Sequence, residues 1–318
     1  MSATEILMLV GFAMAGYAIV ANDAIQTLGT FIASNARRPW WLLWLFASSV
    51  MVLVVMLGWY VNQGDPAFGR LDKFPLPQGG IQWFHLVPPV AILLLTRYGV
   101  PVSTTFLVLA VFNPNNIGAM LLKSVMGYLV AFMVAIVLYR LVIQSTTAYF
   151  DRTRGAAVQW CWVVLQWLST AFLWSQWLIQ DLANIFAYLP RELDLLTLVL
   201  ALLLLVLLQG AIFFKMGGAI QRIVSNKTGT ADVRAATIID LLFACILLVF
   251  KEWSSMPMST TWVFLGLLAG RQVAISLHFY RPPLSETSRI VASDAVKALF
   301  GLLVSVILAL GLPSLLGA

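Results

Sequence analysis

The chain has 318 residues, 61% of them hydrophobic and only 10% charged, against about 45–50% and 25% in soluble domains. The net charge of +6 is scattered over short loops with no basic stripe, which argues against a nucleic-acid partner. This composition excludes an ordinary soluble enzyme or binding domain and indicates an all-α polytopic protein in contact with membrane lipid.

In chain order, the first apolar stretch lacks a basic leader, carries Glu5, and is followed by Arg37 and Arg38. It reads as a retained helix and not a cleaved signal. Clear spans follow at Trp40–Val61, 117–142 and Leu195–Phe214, each reaching the roughly 20 apolar residues a bilayer crossing needs. Polar breaks fall at 34–39, 63–80, 113–116, 144–155, 190–194, 217–234 and 272–289. The break at 144–155 divides the chain into two transmembrane repeats, 1–145 and 156–318.

The division rests on duplicated phrases. Asn22-Asp23-Ala24-Ile25-Gln26 in the first half answers Gln180-Asp181-Leu182-Ala183-Asn184 in the second. Pro101-Val102-Ser103-Thr104-Thr105 answers Pro257-Met258-Ser259-Thr260-Thr261, at 78 and 76 positions after the respective Asp. A third pair runs from Leu122-Lys123-Ser124 and from Val296-Lys297-Ala298. Each repeat is expected to hold a broken first helix, a full span, a polar-tipped re-entrant hairpin of short helices, and a closing span. Three crossings per repeat invert the second relative to the first. With both termini outside, twelve Lys and Arg then lie in inside loops, and only Arg70, Lys73 and Arg191 lie in outside loops. That bias is the one the positive-inside rule asks for.

The polar residues within this greasy sequence carry the chemistry. A carboxylate in hydrocarbon costs at least ~2.5 kcal/mol and persists when paired, hydrated or functional. Asp23 and Asp181 stand beside amides, Asn22 and Gln26 in one copy, Gln180 and Asn184 in the other. These hard oxygens suit a cation such as Na⁺, and a broken helix adds backbone carbonyls. A helix-capping Asp is the plainer reading of either one alone; two in matched contexts favour function. Pro followed by Ser-Thr-Thr signals a helix start. Ser103, Thr104, Thr105, Ser259, Thr260 and Thr261 would present hydroxyls and unpaired N–H groups to an anion. Carboxylates beside an oxyanion repel it unless cations arrive too or a carboxylate protonates. The arrangement therefore predicts coupled cation–anion transport, with Na⁺ or H⁺ as the coupling ion and no cofactor.

Other signals are weaker. Arg97 and Lys251 precede the hairpin tips and would either attract the anion or favour a helix C-terminus. Lys123 and Lys297 read as snorkelling or locally paired, the latter with Asp294. Asp240 has no Asp counterpart in the first half and is a further ligand candidate. Asn226-Lys227-Thr228 fits a sequon in an inside loop. The twelve tryptophans read mostly as an interfacial belt. Cys161 and Cys245 read as small buried hydrophobes. His85 and His278 lack metal-ligand spacing, and no nucleotide-binding signature supports ATP-driven transport. A membrane enzyme using Asp23 and Asp181 as acid and base would need a converging nucleophile or metal site, which the sequence does not show, and a channel is disfavoured because two hydroxyl-tipped hairpins meeting at the centre suggest an occluded site.

The two motif pairs resemble those of the inorganic phosphate transporter (PiT) family, over nearly the whole chain. Asn22, Asp23, Gly29, Thr30 and Ser34 stand in register with its Asn-Asp signature. The Pro-x-Ser-Thr-Thr-His element matches at 101–105 and 257–261, with Phe106 and Trp262 in place of the His. Gln26 and Gln180 replace Asn residues of the signature. The resemblance implies two inverted repeats, the hairpin hydroxyls near phosphate, the Asn/Asp positions near sodium, and a homodimer in a bacterial plasma membrane. Some relatives in the wider group carry sulfate with protons, so a sulfate permease on the same fold is the alternative.

Overall fold

The computed structural model describes residues 2–98, 100, 102–152, 160–215, 232–279 and 283–316, without the side chains of 23–26, 142–152, 278–279 and 313–316. The described residues are helical, with short connections apart from the segment 62–86 between the third and fourth helices, which holds one 3-10 turn at Trp83–Leu86. The first half holds α1 (Ala3–Ile19), a π-helical turn (Val20–Ala24), α2 (Ile25–Ser34), α3 (Trp40–Val61), α4 (Val87–Arg97), α5 (Thr104–Phe112) and α6 (Ile117–Arg152). The second holds α7 (Trp160–Phe186), α8 (Leu195–Phe214), α9 (Val233–Trp253), α10 (Thr260–Phe279) and α11 (Leu284–Leu316). Among the described residues seven helices are long and apolar enough to cross a membrane, and the chain is an integral membrane protein. Their outward stripes are apolar, as Leu196, Leu200, Leu203 and Leu207 on α8 and Leu299, Leu303, Ile307 and Leu310 on α11 show. A lipid-facing surface requires this.

The 27-residue α7 is long enough to cross but is not among the seven. Its polar residues lower its hydropathy, and Gln166, Ser169, Thr170, Gln176, Gln180, Asp181 and Asn184 are all buried. α7 is thus a polar helix at the centre of the protein, shielded by apolar ones.

The packing of the two halves is reciprocal. The helix before each Ser-Thr-Thr tip packs on the first helix of its own half, α4 on α1 and α9 on α7. The helix after each tip packs on the closing helix of the other half, α5 on α11 and α10 on α6. At the α6–α10 contact the two helix backbones approach closely. A Cβ on Gly266 would strike the backbone carbonyl of Tyr128, and one on Gly270 that of Phe132. This small-xxx-small spacing lets two helix backbones touch without a hydrophobic driving force between them.

Several expectations change. The first helix is interrupted only in the first half, by the π-helical turn at Val20–Ala24; in the second, α7 runs unbroken through Asp181. Among the described residues, short hairpin helices are found only in the first half. α4 and α5, at 11 and 9 residues, extend about 16 and 14 Å. α9 and α10, at 21 and 20 residues, extend about 30 Å, a full hydrocarbon thickness. The polar break at 144–155 ends the apolar span but not α6, which continues to Arg152, because polar residues can form helix outside lipid.

The tryptophans are not all at the surface. Trp174 and Trp177 are buried and stacked at 4.8 Å, and Trp174 Nε1 donates to the Ala47 carbonyl at 2.9 Å. A buried indole needs such a partner. Cys245 is exposed and Cys161 half-buried, since an apolar sequence in a membrane helix can face lipid as well as core. The sequon at 226–228 lies outside the described residues.

Candidate ion and oxyanion site

The duplicated segments meet in the interior. Ser103 caps α5, its Oγ accepting from the Phe106 N–H at 3.3 Å. Ser259 does the same for α10, accepting from the Trp262 N–H at 3.2 Å. The capping reading of these serines is therefore correct, and it has a consequence. Each cap ends a helix at a buried point, so the first-turn amides that lack an intrahelical acceptor point into the protein and not into solvent.

The threonines that follow cross between the tips. Thr105 Oγ1 shares its one proton between the Met258 carbonyl at 3.2 Å and Asp181 Oδ1 at 3.1 Å. Thr261 Oγ1 donates to the Val102 carbonyl at 3.2 Å. The two carbonyl bonds join equivalent positions in opposite directions. Phe106 and Trp262, the next residues in each copy, also pair with each other, at 6.0 Å between ring centroids. Ser103, Thr104, Thr105, Ser259, Thr260 and Thr261 are all buried. Ser124 steadies the second tip by accepting from the Ser259 N–H at 2.9 Å. Pro101 lies outside the described residues.

Asp181 stands beside this crossing, 0% exposed, as are Gln180 and Asn184. One carboxylate oxygen, Oδ1, accepts from Asn184 Nδ2 at 2.8 Å and from Thr105 Oγ1 at 3.1 Å. Asn184 Nδ2 also reaches Thr104 and Thr105 Oγ1, each at 3.2 Å. Gln180 directs its amide nitrogen to the Leu247 carbonyl at 3.0 Å. Three oxygens are left over: Gln180 Oε1, Asp181 Oδ2 and Asn184 Oδ1 are buried with no hydrogen-bond partner. Buried polar atoms are ordinarily satisfied. Among the described residues Asp181 forms no ion pair. Positions 180, 181 and 184 share one helix face, so a face of α7 presents one negative charge and three bare hard oxygens. A monovalent cation answers both deficits.

In the first copy, Asn22 is buried in the π-helical turn. It donates to the Val102 carbonyl at 3.4 Å and accepts from Thr96 Oγ1 at 2.9 Å. It therefore touches the tip of its own half, as Asn184 touches α5. The side chains of Asp23 and Gln26 lie outside the described residues.

Cations approach the second tip from far along the sequence. Lys123 is buried, against the snorkelling expectation, because its Nζ donates to the Ser254 and Met256 carbonyls at 2.6 and 2.7 Å. Arg70, from the loop after α3, donates to the Ser255 carbonyl at 3.3 Å. Burial lowers its pKa to about 10, and the carboxylates of Asp181 and Glu252 oppose that shift, so it stays charged at neutral pH. Arg97 and Lys297 are exposed, and Lys251 pairs with Glu252 at 2.9 Å. The basic residues expected to meet an anion are thus elsewhere, while Arg70 and Lys123 hold the segment leading into the Ser259 tip. Sequence reasoning did not assign Thr96, Ser124 or Arg70 to the site: Thr96 and Arg70 carry no repeated pattern, and Ser124 is matched by Ala298 in the other copy. His85 is structural, its Nδ1 accepting from the Gln82 N–H at 3.1 Å.

No protein-family model matches the chain, and no curated protein matches it in sequence. A solved structure described as "The sodium-dependent phosphate transporter" matches with a TM-score of 0.62 at 18% identity, over 97% of this chain and 96% of that one. The likeness extends through both halves, and the chain has that transporter's fold.

Proposed function

We propose that the chain is a secondary transporter that carries an inorganic oxyanion, phosphate before sulfate, together with Na⁺ through a cell membrane. The observation that carries this reading is the group of unpartnered buried oxygens at Gln180, Asp181 and Asn184 on α7, placed against two crossed helix starts rich in hydroxyls and amides. The oxygens suit the cation and the helix starts suit the anion. The fold shared with a sodium-dependent phosphate transporter supports the same assignment.

On this reading Gln180, Asp181 and Asn184 hold one Na⁺, and Asn22, Asp23 and Gln26 form the matching group of the first repeat. Ser103, Thr104, Thr105, Ser259, Thr260 and Thr261 orient the oxyanion through hydroxyls and first-turn N–H groups. The anion and the carboxylates repel in a low dielectric, at about 4 kcal/mol for unit charges 4 Å apart with an effective dielectric of 20. Each Na⁺ removes that repulsion, so neither ion binds well alone. Repeats 1–145 and 156–318 are inverted, the first tip is re-entrant, the second joins two longer helices that meet it in the interior, and rocking of the repeats about the crossed threonines exposes the site to one side at a time. Both termini lie outside.

Phosphate is preferred because it can donate a hydrogen bond to Asp181 Oδ2, which sulfate at neutral pH cannot. Uptake of radiolabelled phosphate and sulfate into proteoliposomes, under separate Na⁺ and proton gradients, tests the reading. It predicts phosphate accumulation driven by an inward Na⁺ gradient. Preferential sulfate uptake would replace the substrate, and uptake indifferent to both gradients would end the symport reading.

A further inference from the structure

Asp240, on α9, is a second fully buried carboxylate, 0% exposed, and its surroundings differ from those of Asp181. Both of its oxygens are satisfied by neutral hydroxyls. Thr30 Oγ1 donates to Oδ1 and Thr170 Oγ1 to Oδ2, each at 2.6 Å. Thr170 is itself held by Gln166, whose Nε2 donates to Thr170 Oγ1 at 3.0 Å. Gln166 Oε1 accepts from Asn35 Nδ2 at 2.9 Å, and Asn35 Oδ1 accepts from the exposed Arg38 Nε at 3.1 Å. Among the described residues no ion pair reaches Asp240.

Its site therefore has no bare oxygens for a metal cation and no countercharge for a carboxylate. An uncompensated charge taken out of water costs several kcal/mol, whereas the neutral acid fits the same bonds. Thr170 accepts from Gln166 and donates to Oδ2. Thr30 is free to reverse: a proton on Asp240 Oδ1 would be donated to Thr30 Oγ1, because a hydroxyl can either give or accept. We propose that Asp240 is a proton-binding site, separate from the Asp181 oxygens, which holds a proton while the α2–α7–α9 contact is closed and releases it when that contact opens.

The placement makes proton binding sensitive to motion. Thr30 belongs to α2, which begins directly after the π-helical turn that carries Asn22, and it is eight residues from Asn22, about 12 Å along a helix. Asp240 and Thr170 belong to the other half. Relative movement of the halves breaks the Thr30 bond and admits water, and the wetted carboxyl can then ionise. Asn and Gln side chains do not relay protons as water does, so the Gln166–Asn35 chain holds Thr170 in place and the proton exchanges with entering water. Among the described side chains, none that is titratable or charged forms a hydrogen bond or ion pair with Asp240. Asp181 lies eleven residues from Thr170, about 16 Å along α7. On α6 the buried Lys123 is committed to the Ser254 and Met256 carbonyls, and on α10 Arg271 bonds to Tyr139. α2 contributes no charged side chain among those described.

This inference rests on the transport reading only for its coupling role; the proton itself is testable without transport. Infrared difference spectra of the purified full-length protein at neutral pH should show the carbonyl stretch of a protonated carboxylic acid that is absent in Asp240→Asn. Thr30→Val should keep the band and shift its frequency. A wild-type spectrum with no such band would overturn the proposal, as would a band left unchanged by both variants. In proteoliposomes, an imposed pH gradient should stimulate phosphate uptake by the wild type and not by Asp240→Asn, while a Na⁺ gradient drives both. Stimulation that survives in Asp240→Asn would remove the coupling role. Failure of every gradient to drive phosphate would instead remove the transport reading and leave the spectroscopic result to decide the proton.

Discussion

Replacing Asp181 with Asn keeps the shape of the site and removes its charge. At an effective dielectric of 20, a carboxylate 4 Å from a monovalent cation contributes about 4 kcal/mol. The amide oxygen retains part of this as a dipole, so the loss should be about 2–3 kcal/mol, or roughly 30- to 150-fold in Na⁺ affinity. The fold should not suffer. Asp181 Oδ2 has no hydrogen-bond partner and the residue no ion pair among those described, so in Na⁺-free buffer the variant replaces a buried carboxyl group that lacks a countercharge with a neutral amide of the same shape. Its thermal unfolding without Na⁺ should occur at the same or a higher temperature than wild type, while the upward shift that Na⁺ gives the wild type should vanish. Equilibrium binding of radioactive sodium and a thermal unfolding series in Na⁺ measure both quantities. Wild-type Na⁺ affinity in Asp181→Asn would refute the assignment, and a large loss of stability without Na⁺ would show that the charge is structural.

Three further outcomes follow from the same geometry. Thr105→Val removes bonds to Asp181 and to Met258, so it should cost about 1–3 kcal/mol and slow phosphate uptake, with Thr105→Ser restoring it; a Val variant with full uptake would remove the crossing from the mechanism. The double change Ser103→Ala with Ser259→Ala should lower stability by about 1 kcal/mol per cap, read by thermal unfolding; unaltered stability would mean that the caps are idle. Gly266→Ala and Gly270→Ala should each destabilise by about 1–3 kcal/mol through overpacking against the α6 backbone, and a neutral result would show that α6 and α10 can separate at little cost.

The duplicated phrases were legible because both copies retain the residue types that the site requires. Asp181, Asn184 and the threonines at 104–105 and 260–261 do converge. Their crossing was not legible, since Thr105 meets Met258 only through a contact 153 residues away. The serines looked like anion ligands or caps, and only the backbone shows that they cap. Lys123 was misread because an ammonium in an apolar segment usually reaches for water, and here three-dimensional packing supplied two carbonyls instead. The length of α9 and α10 was also hidden: apolar sequence looks alike whether it faces lipid or other helices. Asp240 has no repeated partner, so nothing in its own half revealed that Thr30, 210 residues earlier, completes its surroundings.

The central claim is that one buried site takes a cation and an oxyanion together. Equilibrium binding of phosphate to the purified protein over a range of Na⁺ concentrations tests it most directly. Na⁺ should raise phosphate affinity, and phosphate should raise Na⁺ affinity by the same factor, as linkage requires. Phosphate binding that does not change with Na⁺ would contradict it.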